Sequence, residues 1–259
     1  MTLHEIQNDL HLYTQKQNKM KTINQLLLLV TVLFCSASLY SQTVDEIIAK
    51  HLDAVGGKEK LSGVTSVHME GTVEVMGSSG TTKSTILTGK GSRSESELGG
   101  QQVVNVYTDK GGWQINQFAG MSDPQAMTDE QFKAGEDQIY FEPFLDYAAR
   151  GAKAELVGQE KVGTVDAHKI KYTNKDGAVT TFYIDPTSFQ VIQVSAVSNN
   201  MGQEIEVKST YSDFQKTDYG IVLPHSIDID FGGQFAVSSK IQKVDVNQPV
   251  DASIFEMKK

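Results

Sequence analysis

Apolar residues first recur with a helical period. Val44, Ile47, Ile48, His51, Leu52 and Val55 stand at i, i+3, i+4, i+7, i+8 and i+11, one stripe of a 3.6-residue repeat. Thr43 with Glu46 three residues on forms a capping box, and Gly56-Gly57 supplies the stop. A second short turn runs from Lys58 to Leu61. The period then switches to two. Val67, Met69, Gly71, Val73 and Val75 alternate with His68, Glu70, Thr72 and Glu74, which predicts a strand with one dry face. Polar strands are expected across residues 81–98, between turns at 77–80 and Gly99-Gly100. A hairpin follows, with 103–107 and 113–118 joined through Asp109-Lys110-Gly111-Gly112.

The β pattern breaks between Pro124 and Arg150. Thr128 with Gln131 is a second capping box. Pro143 suits a helical first turn, and Phe141, Phe144, Leu145 and Ala148 predict one helical stripe ending at Gly151. From Ala154 the chain reads as strands again: 154–162, 167–173, 179–184, 189–197, 204–211, 225–231 and 235–246. Asn174-Lys175-Asp176-Gly177 and Asp185-Pro186-Thr187 mark turns. No repeat or linker interrupts this order. The expectation is one α+β domain over 42–259, mainly antiparallel, with an N-terminal helix and a helical insertion. The few helices are expected to pack in the concave side of a curved sheet and leave an apolar cleft.

The segment before that domain has another character. Met20 and Lys21, an apolar run from Leu26 to Leu39 and a small, polar close at Ser41 read as a cleavable secretory signal peptide. The run is shorter than the roughly 20 residues of a spanning helix, which argues against a permanent anchor. Residues 1–19 are polar and aperiodic and read as an upstream extension, with Met20 as the expected start. Cys35, the single cysteine, follows bulky Leu33 and Phe34, which argues against lipid attachment there. Its loss with the leader leaves a domain without thiols. These features predict a periplasmic protein cleaved near Ser41.

Charge excludes further classes. Of 23 basic residues, Lys16, Lys19 and Lys21 leave with the leader; of 32 acidic residues, Glu5 and Asp9 leave. The remaining 20 and 30 give a formal charge of −10, with Arg93 and Arg150 the only arginines. No basic run exists, so nucleic acid is not an expected partner, and an anionic membrane would repel the domain. His51, His68, His168 and His225 show no metal-ligand spacing, and no G-x-S-x-G elbow occurs. No cofactor, metal or catalytic set is expected. An uncharacterised hydrolase would need perturbed polar residues gathered in the cleft.

Several segments then resemble a known group. The opening helix through Gly56-Gly57-Lys58-Glu59-Lys60-Leu61, the strand and turn from Val104 to Trp113, and Phe182-Tyr183-Ile184-Asp185-Pro186 are three of them. Tyr211-Ser212-Asp213-Phe214 with Leu223-Pro224, and Val250-Asp251-Ala252-Ser253-Ile254-Phe255, complete the series. In this order they resemble the LolA/LolB-like outer membrane lipoprotein-sorting proteins, which are periplasmic lipoprotein carriers. The resemblance implies an open half-barrel of about eleven strands lidded by helices, an acyl-chain cavity and no catalysis. It also implies a lid-latching arginine, for which Arg93 is the candidate, although Ser94 stands where the family carries proline.

The cleft candidates are Phe132, Tyr140, Phe141, Phe144, Leu145 and Tyr147, with Trp113 and the helix residues Ile48 and Leu52. Each has an alternative role in closing the core. The expected function is a non-enzymatic binder or carrier of lipid or lipoprotein acyl chains, monomeric, with lipid or lipidated protein as partner. The alternative is an envelope interaction module that docks on an outer-membrane partner, its concave face packed and ligand-free.

Overall fold

The computed structural model describes residues 42–200 and 203–258. The signal peptide, the upstream extension and Cys35 lie outside the described residues. Helix α1 (Val44–Ala54) has the capping box: the Glu46 amide donates to Thr43 Oγ1 and the Thr43 amide to Glu46 Oε2. Its buried residues Ile47, Ile48, His51 and Leu52 are the stripe read from the sequence. Helix α2 (Lys58–Ser62) follows at once.

The described residues then form a thirteen-stranded antiparallel sheet, two strands more than expected. The first six strands are β1 (Ser66–Val75), β2 (Ser78–Leu87), β3 (Gly91–Leu98), β4 (Gln101–Thr108), β5 (Gly112–Asn116) and β6 (Met121–Ala126). An insertion containing α3 (Asp129–Gly135) separates them from β7 (Lys153–Val162), β8 (Val165–Thr173) and β9 (Val179–Ile184). The last four are β10 (Val191–Asn200), β11 (Gln203–Lys216), β12 (Val222–Phe231) and β13 (Ala236–Val246).

The order across the sheet is β6-β5-β4-β3-β2-β1-β13-β12-β11-β10-β9-β8-β7. Two meanders are therefore sewn together by β1 against β13, where Val67 faces Val246 and Val75 faces Val237. The free edges are β6 and β7, which are neighbours in sequence. The insertion between them runs from one edge of the sheet to the other.

Pairing register separates two faces. Met69, Ser84, Ser94 and Asn105 line up across β1 to β4 on the inner face. Arg93, Val106 and Trp113 line up on the outer one. The main core joins α1 to the inner face of the second meander through Ile47, Phe144, Ile170, Phe182, Ile184 and Ile221. A smaller cluster of Val104, Val106, Trp113 and Phe255 lies where the C-terminal segment crosses the outer face. A Cβ on Gly91 would come within 2.7 Å of the Phe255 ring, so that crossing needs glycine.

Three sequence expectations are corrected. The helix predicted through residues 141–148 does not form. Asp146 takes a left-handed backbone (φ 52°), and the chain makes turns and then a 3-10 helix at Tyr147–Arg150. The Arg150 guanidinium donates to the carbonyls of Pro143 (2.6 Å) and Leu145, taking acceptors an α-helix would need. Residues 121–126 form edge strand β6 despite Pro124, since an edge tolerates a missing N–H. The strand placed at 189–197 begins at Val191 because Phe189 is also left-handed (φ 55°) and its amide closes a turn onto the Asp185 carbonyl.

Candidate functional site

The inner face encloses a cavity of about 690 Å³, within the usual range of ligand pockets. Its floor has two chemistries. β1, β12 and β13 contribute Met69, Val73, Ile227, Ile229, Val237 and Ile241, and Phe182, Val194 and Ala196 continue the apolar wall across β9 and β10. On the other side β2 and β3 contribute Thr82, Ser84, Ser92, Ser94 and Ser96. The Ser96 hydroxyl lies 3.3 Å from Thr82 Oγ1, which donates to the Glu95 carbonyl at 3.2 Å.

The insertion supplies the roof through Gly135, Asp137, Gln138, Tyr140 and Pro143. Its helix sits close on β4, where a Cβ on Gly135 would meet the Tyr107 ring at 2.4 Å. Tyr172 donates from its hydroxyl to Asp137 Oδ2 at 2.7 Å. Burial, then the Asp137 charge and hydrogen bond, push the Tyr172 hydroxyl pKa well up. Arg150 holds the roof, its guanidinium stacked over Tyr140 at 4.0 Å from the ring centroid and close enough to the Tyr172 hydroxyl to oppose part of that rise.

A second hollow of about 180 Å³ adjoins, sharing Pro143, Phe182, Val194 and Tyr211 with the first. His51 from α1 and Glu142 from the insertion meet at its wall. His51 Nδ1 lies 2.8 Å from the Phe189 carbonyl, so that nitrogen is the donor. Nε2 lies 3.4 Å from Glu142 Oε2, a pairing that calls for the imidazolium. Burial works to lower the His51 pKa, but the Glu142 charge and both hydrogen bonds outweigh it, and the pKa is raised.

The sequence candidates scatter around this frame. Tyr140 lines the large cavity and Phe141 the small one. Phe144 is buried at the centre of an aromatic cluster, with Phe182 at 4.7 Å, His51 at 5.6 Å and Tyr172 at 6.0 Å between centroids. Ile48 and Leu52 belong to the main core, and Leu145 and Tyr147 pack against that core. Tyr147 also donates to Asp45 Oδ1. Phe132 is half-buried on α3.

Trp113 lies on the outer face, away from the cavity, its indole N–H donating to the Phe255 carbonyl at 2.9 Å. Arg93 shares that face. Its guanidinium sits over Trp113, donates to the Ile254 carbonyl at 3.0 Å and pairs with Glu95. It thus fastens the C-terminal segment, while Arg150 fastens the roof. Sequence reasoning missed Arg150, Glu142 and the hydroxyl wall. The one available signal was the density of Ser and Thr on alternate positions of 82–96.

No family model matches the chain, and no curated protein does. Solved structures do match. A DUF1329 family protein from Desulfovibrio piger superposes with a TM-score of 0.52 at 12% identity, covering 83% of this chain and 98% of that one. A LolA superfamily protein from Nitrosomonas europaea gives 0.52 at 11%, with coverage of 83% and 98%. The fold is LolA-like. A structure described as a putative outer membrane lipoprotein-sorting protein domain, from Vibrio parahaemolyticus, also gives 0.52, at 9% identity over 81% and 94% of the two chains. The resemblance read from the sequence thus holds for the fold, and the LolA-like frame here is an open antiparallel sheet roofed by its insertion.

Proposed function

We propose that this protein is an exported, non-enzymatic binder or carrier of lipid or lipoprotein acyl chains, working in the periplasm. The observation that carries this reading is the roofed cavity of about 690 Å³ with its aliphatic wall. Such a wall grips an acyl chain by burial alone, at about 0.8 kcal/mol per CH₂. A concave face filled by its own side chains would have supported the interaction-module alternative instead. The description of one matched structure as a lipoprotein-sorting domain supports the same reading. Periplasmic location rests on the signal-peptide pattern of Met20 to Ser41.

Native mass spectrometry of the purified protein tests this, combined with titration of an uncharged fluorescent probe, N-phenyl-1-naphthylamine. The expected result is retained lipid mass and saturable probe binding. A protein that retains no lipid and binds the probe without saturation would overturn the proposal.

A further inference from the structure

His51 ties three elements together through one ring. It stands on α1, its Nδ1 donates to the Phe189 carbonyl in the β9–β10 turn, and its Nε2 faces Glu142 in the roof. A neutral imidazole has one N–H, so only the imidazolium serves both partners. If Nδ1 keeps the proton, Nε2 turns a lone pair on a carboxylate 3.4 Å away. If Nε2 takes it, the Phe189 carbonyl loses its donor. No neutral tautomer keeps both contacts.

The two partners differ in their freedom to leave. Phe189 is fixed in its turn, its amide donating to the Asp185 carbonyl at 2.9 Å. The Glu142 side chain lies on the wall of the smaller hollow, with Oε1 accepting from the Phe144 amide at 3.0 Å. A carboxylate that loses its counter-charge at that depth is stabilised by turning out to water.

The other charges around the ring are engaged elsewhere. Lys50 sits over the Phe189 ring at 4.9 Å from the centroid, and Asp185 accepts from the Thr187 and Ser188 amides. Asp146 pairs with Lys58 at 2.9 Å, and Asp45 accepts from the Tyr147 hydroxyl. Tyr211 shares the hollow, where burial raises its hydroxyl pKa, and His225 Nδ1 lies 3.2 Å from the Leu223 carbonyl. Among the described residues, Glu142 is the one charge that acts on His51.

The span that Glu142 controls is short. Upstream the roof is held by contacts without a histidine: Tyr172 to Asp137, Lys175 to Glu136, and Asn174 Nδ2 to the Lys133 carbonyl at 2.7 Å. Downstream Phe144 is anchored in the main core. Between these points Gln138 and Tyr140 face the large cavity, Phe141 and Glu142 the small hollow, and Pro143 both.

We propose that His51 is a proton-controlled latch on the roof: charged, it holds the Glu142 corner shut, and neutral, it releases residues 138–143 and opens a passage into the two hollows. That lipid uses this passage rests on the function proposed above; the latch itself rests on the contacts alone. The raised His51 pKa gives the direction. The latch is complete below the ordinary histidine value of about 6.5 and is lost as pH rises through the folded value. Ligand is thus retained in mildly acidic surroundings and exchanged in alkaline ones.

The test has two arms on the purified protein, each run from about pH 5.5 to about pH 8.5. The first is amide hydrogen exchange, read as protection factors so that the intrinsic pH dependence of exchange is removed. Protection across residues 138–142 should fall by at least about tenfold, the factor that accompanies loss of one charge-assisted contact, while the β11–β12 ladder stays unchanged. The second arm is the release rate of N-phenyl-1-naphthylamine, uncharged over this range, which should rise with the same midpoint. Glu142→Gln removes the charge, and its amide serves either protonation state of His51. His51→Gln keeps a donor for Phe189 and does not titrate. Both variants should hold protection and release within about twofold over the whole range.

Constant protection of 138–142 in the wild type overturns the latch, and so does a pH-dependent loss spread over the whole sheet. A folded variant of either kind that keeps the wild-type pH dependence also overturns it. Release that does not follow the exchange midpoint overturns control of the passage. Failure of the probe to bind overturns the lipid reading, while the exchange arm still decides the latch.

Discussion

His51 Nε2 lies 3.4 Å from Glu142 Oε2, with the two side chains 4% and 10% exposed. This pair joins the first helix of the domain to the segment that roofs the cavity. Its sign with pH follows from the raised His51 pKa. The contribution is fully present below the ordinary histidine value of about 6.5 and is lost as pH rises through the folded value. Glu142→Gln should cost roughly 1–3 kcal/mol at pH near 6. The gap to wild type in urea melts should shrink by about pH 9. A gap that does not change with pH would show that the pair does not titrate.

Phe144 is 1% exposed and touches four aromatic rings. Phe144→Ala should destabilise the domain by about 3–5 kcal/mol in denaturant melts, because the rigid sheet beneath cannot collapse into the space. A loss below ~1 kcal/mol would mean that the ring fills a looser site than its burial indicates.

Arg150→Lys removes the planar fork that reaches two carbonyls and stacks on Tyr140. Amide hydrogen exchange should rise by about an order of magnitude across residues 141–151, while the β11–β12 ladder stays protected. Uniform loss of protection would place Arg150 in global stability instead of roof closure.

Trp113 sits on the outer face beneath the C-terminal segment. Its emission maximum should therefore stay fixed when a non-fluorescent lipid fills the cavity. Removal of residues 253–259 should red-shift it by exposing the indole. A lipid-induced shift comparable to that of the truncation would show that the outer cluster responds to the cavity.

Local signals were legible in the sequence where local physics decides. Both capping boxes, the α1 stripe and the turns at Asp109–Gly112 and Asn174–Gly177 need only neighbouring residues. The pairing of β1 with β13 was not legible, because nothing in Val67–Val75 names a partner some 170 residues away. The hydroxyl wall was hidden for another reason. β3 is polar on both faces, Ser92, Ser94 and Ser96 inward and Arg93 and Glu95 outward, so alternation carries no contrast. The stripe at 141–148 misled because apolar spacing records which side chains are buried and not how the backbone bonds. There a guanidinium from five and seven residues away replaces the helix amides.

The sheet edges β6 and β7 are consecutive in sequence, while β1 and β13 close the middle. All twelve strand pairings among the described residues are therefore complete without residues 127–152. The roof is a single span hung between two finished banks. Its length and composition can drift from one descendant to another, resizing and re-lining the chamber below, with no ladder hydrogen bond rewritten.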